Sequence, residues 1–491
     1  MKNAVVIGAG IGGLATAIRL AAKGYQVDVF ESNSYPGGKL SEFTINGFRF
    51  DAGPSLFTMP ELVNELFTLC GKDPKKYFSY SKLETICNYF FSDGTTLIAK
   101  SDVQEFIEEA HIKTGVNKEH LKYHLNKSKY IYEATAHLFL ERSLHKIRSY
   151  LRWQTFLSIL KLPFLGIFSS MDQVNLKTLG NDKMRQFFNR YATYNGSNPY
   201  KAPAILNIIP HLEFSKGAYF PSGGMYEITK VVYQLALELG VKFHFNTPVR
   251  KINIENNSAI GIEVGEKQIN YNLVICNSDV YPAYRKLLKE QPAPEKILNQ
   301  ERSSSALIFY WGICKKFNSL DLHNIFFSDN YEEEFRHIFN LRSIYNDPTV
   351  YINITSKLKK DDAPDGMENW FVMINVPANS GQDWSKLKEQ ARRDILKKIS
   401  FHLGEEVEKL IVAENILEPI TIESKTQSYQ GALYGTSSNS KMAAFFRHPN
   451  FSKSIKNLFF CGGSVHPGGG IPLALSSAKI VDSLIPDCDE K

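Results

Sequence analysis

The chain has 491 residues, which is too long for one ordinary core, so we expect two or more domains. Hydrophobic residues make up 43% of the chain and charged residues 22%, which excludes a disordered chain and a polytopic membrane protein. The net charge of +6 is mild and spread along the chain, so it does not indicate a nucleic-acid partner, although it is compatible with an anionic membrane surface.

The cysteines and the hydropathy exclude further classes. None of the six cysteines forms a CxxC pair or a metal-ligand spacing with histidine, so we expect reduced thiols in a cytosolic protein and no metal site. No uncharged apolar run reaches about eighteen residues, so we predict no transmembrane helix. The apolar start of the chain is interpreted as a strand and a glycine turn rather than a signal peptide.

The first predicted elements are a strand at residues 4–7, a helix at 14–22 and a second strand at 26–30. Between the first strand and the helix, Gly8, Gly10 and Gly13 follow GxGxxG spacing. Gly8 permits a tight turn, Gly10 lets backbone approach a pyrophosphate, and Gly13 lets helix and strand pack closely. The helix N-terminus then offers free N–H groups to phosphates. This pattern predicts a dinucleotide-binding unit, with a nucleotide-free Rossmann-like unit as the alternative.

Glu31 ends the second strand, eighteen residues after Gly13, where a carboxylate can accept both hydroxyls of an adenosine ribose. The same carboxylate would repel a 2′-phosphate, which disfavours NADP. Next come PGGK at 36–39 and FDAGPS at 50–55, which resemble the FAD-containing amine oxidase and phytoene desaturase superfamily. The resemblance implies FAD as cofactor, with contacts from Gly38, Lys39, Ser55 and Leu56. Lys39 stands where many relatives have arginine, which keeps the charge but loses bidentate geometry.

A helical cap is predicted to follow. After a hairpin around Asp93-Gly94, residues 101–152 are charged with apolar positions at helical spacing. Residues 151–171 are the most apolar part of the cap. Basic residues lie in or just upstream of this segment, namely Arg142, His145, Lys146, Arg148, Arg152 and Lys161. Such an amphipathic, aromatic-rich segment is typical of a monotopic protein lying on a bilayer, and an ordinary buried helix pair is the alternative. A lipid-dissolved substrate would favour the membrane.

The middle of the chain is predicted to return to the nucleotide domain and then leave it again. Helices are expected at 177–190, 225–239 and 384–403. Strands are expected at 241–245, 251–254, 259–264, 272–277, 306–313, 350–355 and 370–376. In the superfamily the residue at Val249 contacts the adenine through its backbone, and Asn277 lies where the chain leaves the nucleotide domain. The region from about 281 to 430 is predicted to form a substrate domain, a sheet with helices on one side.

The last motif, NLFFCGGSVHPGGGIPLALSSAKI at 457–480, predicts a strand, a glycine-rich turn and a helix. Gly468, Gly469 and Gly470 let backbone amides approach a flat ring closely, and Ile471 begins a helix whose dipole would stabilise a reduced flavin. Gly463, Gly470 and Ile471 are therefore candidate cofactor contacts. Together with YG at 434–435 and FFRHPN at 445–450, this motif resembles the signature of bacterial carotenoid desaturases, (N)LYFxGGxxHPGxGIPxxxxSAK.

This resemblance spans essentially the whole chain. Members of the family remove two hydrogens from a C–C single bond of a polyene with FAD as hydride acceptor, and oxygen or a quinone then reoxidises the flavin at the membrane. The GGSVHPGGGIP form looks most like the hydroxycarotenoid 3,4-desaturase branch. The resemblance therefore implies a carotenoid substrate, namely a hydroxylated acyclic or monocyclic carotenoid of the 1′-hydroxy-γ-carotene type.

Two residues are candidates for catalysis. Because the cation left after hydride loss is delocalised along the polyene, the reaction needs exclusion of water and a group that takes the second proton. His466 and Arg447 lie in or beside the flavin motif. A histidine in a glycine turn more often holds the turn by hydrogen bonds, and this role is favoured for His466. Arg447 is either a substrate-end or proton-relay group or a salt-bridge partner.

Four alternatives remain. A phytoene desaturase would act on a different carotenoid, and a carotenoid isomerase would leave the product mass unchanged. An amine oxidase would call for an aromatic cage or a covalent-flavin cysteine, whereas Cys461 is interpreted as strand core. A flavin-bearing membrane scaffold or carotenoid carrier would hold a redox-inert flavin.

The predicted fold is α/β (α+β overall): a Rossmann-like FAD-binding domain, a mixed-sheet substrate domain and a helical cap that associates with the membrane. We expect FAD-binding segments at 1–90, 220–285 and 436–491, the cap at 91–175, and substrate-domain segments at 176–219 and 286–435. The expected location is cytoplasmic, peripheral on the inner face of the cell membrane.

Overall fold

The computed structural model of this chain describes residues 2–139, 145, 166, 168–440 and 447–488. Residues 151–165 of the predicted membrane-associating segment lie outside the described residues. So do its flanking residues Arg142, Lys146, Arg148 and Arg152, and Phe445 and Phe446 of the C-terminal motif.

The strands are β1 (Asn3–Ile7), β2 (Gln26–Phe30), β3 (Glu42–Ile45), β4 (Phe48–Asp51), β5 (Tyr80–Lys82), β6 (Thr85–Phe90), β7 (Thr96–Lys100), β8 (Tyr219–Pro221), β9 (Lys242–His244), β10 (Val249–Glu255), β11 (Ser258–Val264), β12 (Lys267–Asn270), β13 (Leu273–Cys276), β14 (Ser305–Ile313), β15 (His323–Phe326), β16 (Val350–Asn353), β17 (Glu368–Val376), β18 (Ile411–Leu417) and β19 (Leu458–Phe460).

The longer helices are α1 (Ile11–Ala22), α2 (Glu61–Leu69), α3 (Val103–Thr114), α4 (Lys118–Phe139), α5 (Met171–Leu179), α6 (Asp182–Asn189), α7 (Glu227–Glu238), α8 (Tyr331–Arg336), α9 (Trp384–Leu403), α10 (Pro419–Thr426) and α11 (Ile471–Asp482). The predicted helix at 384–403 and the predicted strand at 26–30 are confirmed residue for residue. No described helix is both long enough and apolar enough to cross a bilayer.

A parallel five-stranded sheet, in the order β19–β13–β1–β2–β9, carries the glycine motifs. Ala4, Val5 and Val6 of its central strand are fully buried, because helices or further strands cover both faces. This explains why β1 is a continuous apolar run rather than an alternating one. The strands come from three separate stretches of the chain, and α1 packs against both α7 and α11.

A seven-stranded mixed sheet, in the order β18–β14–β17–β16–β15–β6–β7, forms the second body. Along β14, Leu307, Phe309 and Trp311 face the core that α9 covers. Ile308 and Tyr310 alternate with them and face the other way, into a cavity. The period of two along the strand thus separates a structural face from a face that a ligand can reach.

The structure differs from the prediction at two places. The predicted domain boundary at residue 90 falls between β6 and β7, which both belong to the seven-stranded sheet because β6 pairs with β15 as well as with β7. The predicted helix at 177–190 is two helices, since Gly180 takes a left-handed conformation with φ +59° and Asn181 caps α6. The predicted combination of a Rossmann-like body and a mixed-sheet body is confirmed.

Candidate functional site

A cavity of ≈ 1250 Å³ begins at the carboxyl ends of β1 and β2 and extends to the seven-stranded sheet. The two glycine-rich motifs and the strand-end acid border one part of it, which we call the cofactor part. Side chains of α4, residues 190–213 and the seven-stranded sheet border the rest, which we call the substrate part. Both parts belong to one continuous space.

The first wall of the cofactor part is the start of α1. Gly8 and Gly10 border the cavity, whereas Gly13 lies beneath the turn. A β-carbon added at Gly13 would lie 2.1 Å from the carbonyl oxygen of Gly8, which no side chain tolerates. Helix and strand therefore pack as the spacing predicts, and the N–H groups of the first helical turn are left without intrahelical acceptors.

Asn277 ties this turn to the next strand. Its Nδ2 donates to the carbonyl oxygen of Gly8 at 3.1 Å, and its Oδ1 lies 3.5 Å from the sulfur of Cys461. The predicted position of Asn277 beside the nucleotide is consistent with this, since the residue borders the cavity directly after β13.

Glu31 occupies the end of β2 and is almost fully buried. Its Oε2 accepts a hydrogen bond from the backbone N–H of Ala9 at 2.7 Å, and its Oε1 accepts one from that of Asn33 at 2.9 Å. The carboxylate is thus oriented by the backbone beside the glycine turn. Val249, which the resemblance assigns to the adenine, begins β10 and also borders the cavity.

The second wall is the start of α11. Gly470 has φ +106°, a conformation that favours glycine, and Ile471 opens the helix behind it. The amide of Gly462 donates to Ser477 Oγ at 2.8 Å, which joins the end of β19 to this helix. Gly463, Gly470 and Ile471 border the cavity, so two helix N-termini face the same space.

Gly38 and Lys39 border the cavity from the turn after β2. The Lys39 ammonium donates to the carbonyl oxygen of Leu433 at 2.7 Å and to that of Ala432 at 3.3 Å. Burial lowers the pKa of Lys39 to about 8, and the carboxylate of Asp279 partly opposes this. Lys39 therefore holds the 432–433 segment against the cofactor part while keeping a positive charge there at neutral pH.

These residues fit a flavin dinucleotide. A ribose needs hydroxyl acceptors, which the oriented carboxylate of Glu31 supplies, and a pyrophosphate needs backbone N–H donors, which the first turn of α1 supplies. A ring edge that gains negative charge needs a positive dipole end, which the start of α11 supplies. The donor set of the cofactor part is thus that of an FAD site.

Arg447 borders the cavity and donates to the carbonyl oxygens of Tyr434 (3.0 Å) and Thr436 (2.9 Å). Burial lowers its pKa to about 10, so it remains a cation at neutral pH and has no free lone pair for a proton. This geometry supports a role in holding residues 434–436 against Gly468, whose added β-carbon would lie 3.3 Å from the guanidinium.

His466 is buried and does not border the cavity. Its N–H donates to the carbonyl oxygen of His448 at 3.0 Å, and its own carbonyl oxygen accepts from Asn450 Nδ2 at 2.7 Å. His466 thus lies behind the glycine turn, where its backbone joins residues 448–450 to that turn. The role of its imidazole stays a prediction.

The substrate part is largely aliphatic and aromatic. Its wall includes five side chains from one segment, Ile205, Leu206, Ile208, Ile209 and Leu212. Tyr132 and Thr135 of α4, which packs against this segment, also border the cavity, and Ile308 and Phe371 come from the seven-stranded sheet. Such a wall suits a long hydrocarbon better than a water-soluble amine.

A buried ion pair interrupts this apolar wall. Arg190 Nη2 lies 3.2 Å from Glu213 Oε2, which also accepts from the Tyr191 hydroxyl at 2.5 Å. The Tyr194 hydroxyl donates to the other Glu213 oxygen and accepts from Arg190 Nη1 at 3.0 Å. We call these four residues the Arg190–Glu213 cluster. Arg190, Tyr194 and Glu213 all border the cavity.

A second polar chain runs from the cofactor part towards this cluster. Ser55 Oγ and the Tyr351 hydroxyl are 2.7 Å apart, and that hydroxyl is 2.7 Å from His323 Nδ1. Asn353 Nδ2 also approaches His323 Nδ1, at 3.2 Å, so Nδ1 is an acceptor and the ring proton lies on Nε2. We call Ser55, Tyr351 and His323 the Ser55–Tyr351–His323 chain. Burial lowers the pKa of His323 to about 3, and the charge of Arg190 adds to the shift.

The sequence motifs indicate the cofactor part but not these polar groups. Ser55 and Leu56 were predicted as cofactor contacts, and both border the cavity. Arg190 lay at the end of a predicted helix, and Glu213, His323 and Tyr351 carried no motif. They come from distant segments that meet only in the folded chain, so spacing contains no signal for them.

Comparison with known proteins agrees with this geometry. The family profile described as flavin containing amine oxidoreductase matches residues 11–481. A 1-hydroxycarotenoid 3,4-desaturase from Flavobacterium sp. (strain P99-3) is 54% identical over 487 residues, which are 99% of this chain and 99% of the relative. A 4,4′-diapolycopene oxygenase from Methylomonas sp is 31% identical over 496 residues, which are 99% of this chain and 98% of the relative.

Solved structures show the same fold. The crystal structure of an oxidoreductase from Methanosarcina mazei matches with a TM-score of 0.65 at 15% identity, over 98% of this chain and 100% of that one.

Proposed function

The chain belongs to the flavin containing amine oxidoreductase family, and within that family we propose that it is an FAD-dependent carotenoid desaturase. FAD is its cofactor. The proposed reaction removes two hydrogens from the C3–C4 single bond of a hydroxylated carotenoid and leaves a C=C double bond. The observation that carries this proposal is 54% identity to a 1-hydroxycarotenoid 3,4-desaturase along 99% of both chains.

The cavity supports the same reaction. Its cofactor part continues directly into an aliphatic wall, so a long apolar substrate can lie beside the cofactor without crossing water. The residues of the first turn of α1 and Glu31 would hold the nucleotide, and the start of α11 would face the flavin ring. When bound, FAD supplies the hydride acceptor. The aliphatic wall orients the polyene and excludes water while the other hydrogen leaves as a proton.

Contact with a membrane surface is part of the proposal. Large hydrophobic side chains are exposed on the cap, namely Ile112, Tyr123, Tyr130 and Phe168. The α4 helix also carries lysines, namely Lys118, Lys122, Lys127 and Lys129. An exposed apolar surface beside basic side chains suits an anionic bilayer, in which a carotenoid would be dissolved.

We further propose a cytoplasmic location, peripheral on the inner face of the cell membrane, and oxygen or a quinone as the terminal electron acceptor. The six cysteines are free thiols, which suits a reducing compartment. A quinone dissolved in the same bilayer would reach the protein by the same surface as the substrate.

The test is anaerobic incubation of the FAD-loaded protein with carotenoids in liposomes. Flavin absorbance near about 450 nm and product mass are followed together. We expect bleaching together with a product two hydrogens lighter than a 1-hydroxylated carotenoid.

Other outcomes discriminate the alternatives. An isomerised product of unchanged mass would indicate an isomerase, and bleaching with amines alone would indicate an amine oxidase. Preference for phytoene would move the chain to the phytoene desaturases. A flavin that no substrate reduces would support a carrier or scaffold.

A further inference from the structure

We propose that the Arg190–Glu213 cluster and the Ser55–Tyr351–His323 chain form a polar subsite that binds the hydroxyl group of the carotenoid and so determines which C–C bond lies beside the flavin. This inference rests on the proposed function, because it names the residues that recognise the substrate of that reaction. It concerns specificity and register rather than the hydrogen transfer itself.

The ion pair is costly in its surroundings. Arg190 is 6% exposed and Glu213 is 1% exposed, beside a wall that is largely aliphatic and aromatic. A buried ion pair gains little over apolar residues of similar size, so a wall built only for a hydrocarbon would not need one. A hydroxyl group is different, since it donates one hydrogen bond and accepts others. It can donate to Glu213 or to the Tyr194 oxygen and accept from Arg190, because the single Tyr194 proton is already donated to Glu213.

Hydrogen bonding around these polar groups is incomplete. Arg190 Nε and His323 Nε2 are buried, and neither has a hydrogen-bond partner among the described residues. Both are donors, given the tautomer that Asn353 imposes on His323. Buried donors without acceptors are rare in native proteins. Neither atom is exposed to the cavity, so a ligand oxygen reaches them only if the neighbouring side chains move on binding.

The polar groups also lie in a suitable position for the reacting bond. In a 1-hydroxycarotenoid oxidised at C3–C4, only three bonds separate the oxygen from C3, so a group that binds the oxygen must lie close to the reacting bond. Ser55 follows β4 in the loop that borders the cofactor part, and its hydroxyl contacts Tyr351. The polar groups therefore join the substrate part to the cofactor part. This is where a group that binds the oxygen must lie if C3–C4 is to be beside the flavin.

The test compares a 1-hydroxylated carotenoid with the same carotenoid lacking the oxygen, both in liposomes with the holoenzyme. We expect wild-type kcat/KM to favour the alcohol by roughly ten- to a hundredfold, the effect of one hydrogen bond to a charged group. Glu213→Gln and Tyr194→Phe should lower kcat/KM for the alcohol by a similar factor. For the hydrocarbon, kcat/KM of both variants should stay within about threefold of the wild-type value, because the hydrocarbon makes no such hydrogen bond.

Matched controls lie outside the cavity. Glu334→Gln changes a carboxyl that is likewise buried and accepts from Thr349, and Tyr284→Phe removes a buried hydroxyl that contacts His448. Neither residue borders the cavity, so neither variant should alter the ratio between the two substrates.

A binding measurement separates recognition from chemistry. Dithionite-reduced holoenzyme cannot turn over, so the shift in carotenoid absorption on binding reports affinity alone. We expect Tyr194→Phe to lose affinity for the alcohol and not for the hydrocarbon. The position of the new double bond is read from the product of the wild type and of each variant.

Each result is decisive. If Glu213→Gln lowered kcat/KM equally for both substrates, the proposed subsite would be wrong, and Glu213 would have a general structural or proton-accepting role. A wild type that does not discriminate between the substrates would also overturn it, even if Glu213→Gln fails to fold. A wild type that oxidises no carotenoid would refute the proposed function instead, and the reduced-enzyme binding ratio would still test the subsite.

Discussion

The cofactor part of the cavity is built from backbone, whereas the substrate part is built from side chains that distant segments bring together. At the start of α1 the essential feature is that Gly13 has no side chain, because helix and strand are in contact at this residue. In the Arg190–Glu213 cluster the essential feature is a set of side-chain contacts. A site made of backbone tolerates few substitutions, while a site made of side chains can change its ligand with few substitutions.

The largest expected effect is therefore on the backbone-built part. Gly13→Ala would place a methyl group 2.1 Å from the carbonyl oxygen of Gly8, so α1 and β1 must separate and the turn that faces the pyrophosphate must change. We expect the purified variant to contain no flavin. The measurement is the ratio of flavin to protein absorbance, followed by titration with FAD.

Gly404→Ala is the matched control. Gly404 caps α9 with φ +65°, and nothing lies within 4 Å of an added β-carbon. The cost there is the strain of a left-handed alanine, about 1 kcal/mol, without a collision. Normal flavin content in Gly13→Ala would show that the first turn does not need this close contact.

The second effect tests the side-chain-built part. Arg190→Met leaves the Glu213 carboxylate buried without its cation, which should lower the free energy of unfolding by about 3–5 kcal/mol. Adding Glu213→Gln should recover much of this loss, because the uncompensated charge is removed. Urea unfolding of the holoenzyme measures both.

FAD affinity provides the contrast in these variants. We expect both to keep FAD affinity near that of wild type where they are folded, since neither residue lies in the cofactor part. An Arg190→Met variant as stable as wild type would mean that the ion pair contributes nothing to the fold.

The same contrast explains what could be predicted from the sequence. The GxGxxG turn, Glu31 and the Gly470–Ile471 helix start are each local, because close backbone contacts require glycine at fixed spacings. The fold followed from them and from apolar runs such as β14. The Arg190–Glu213 cluster could not be predicted, since 23 residues and a different element separate its ion pair. The assignment of β6 to the wrong body has the same origin, because its pairing with β15 is long-range.

The third expected effect is a pH dependence of the free energy of unfolding, caused by a histidine behind the cofactor part. Burial lowers the pKa of His448 to about 4, and its neutral ring contacts the Tyr284 hydroxyl and the Pro449 carbonyl. In the unfolded chain the pKa is about 6.5. Between these values the unfolded chain binds a proton that the folded chain does not, so the free energy of unfolding falls as the pH falls from 6.5 to 4.

We expect His448 to account for about 1–3 kcal/mol of the fall in the free energy of unfolding between pH 6.5 and 4. Above pH 6.5 its stabilising contribution is fully present. His448→Gln should be less stable than wild type at pH 7 and lose less stability between pH 7 and 4.5. Urea unfolding at each pH measures this. His120→Gln, at an exposed position on α4, should keep the wild-type pH dependence. An unchanged slope in His448→Gln would assign the acid sensitivity to other groups.

The smallest expected effect is on FAD affinity when Glu31 is changed, the side chain that the cofactor part contributes. Glu31→Gln keeps an oxygen for the Ala9 amide but loses the charge and one acceptor for the ribose hydroxyls. We expect FAD affinity to fall about tenfold, or about 1.4 kcal/mol, as measured by flavin fluorescence quenching.

Glu227→Gln is the control for Glu31→Gln, because Glu227 also accepts from a backbone amide, that of Gly223 at 2.7 Å, and does not border the cavity. Its FAD affinity should equal that of wild type. If Glu31→Gln instead lost FAD as completely as Gly13→Ala, the side chain would matter as much as the backbone. The distinction between a cofactor part built from backbone and a substrate part built from side chains would then be wrong, because FAD binding would depend on a side chain as strongly as on the glycine turn.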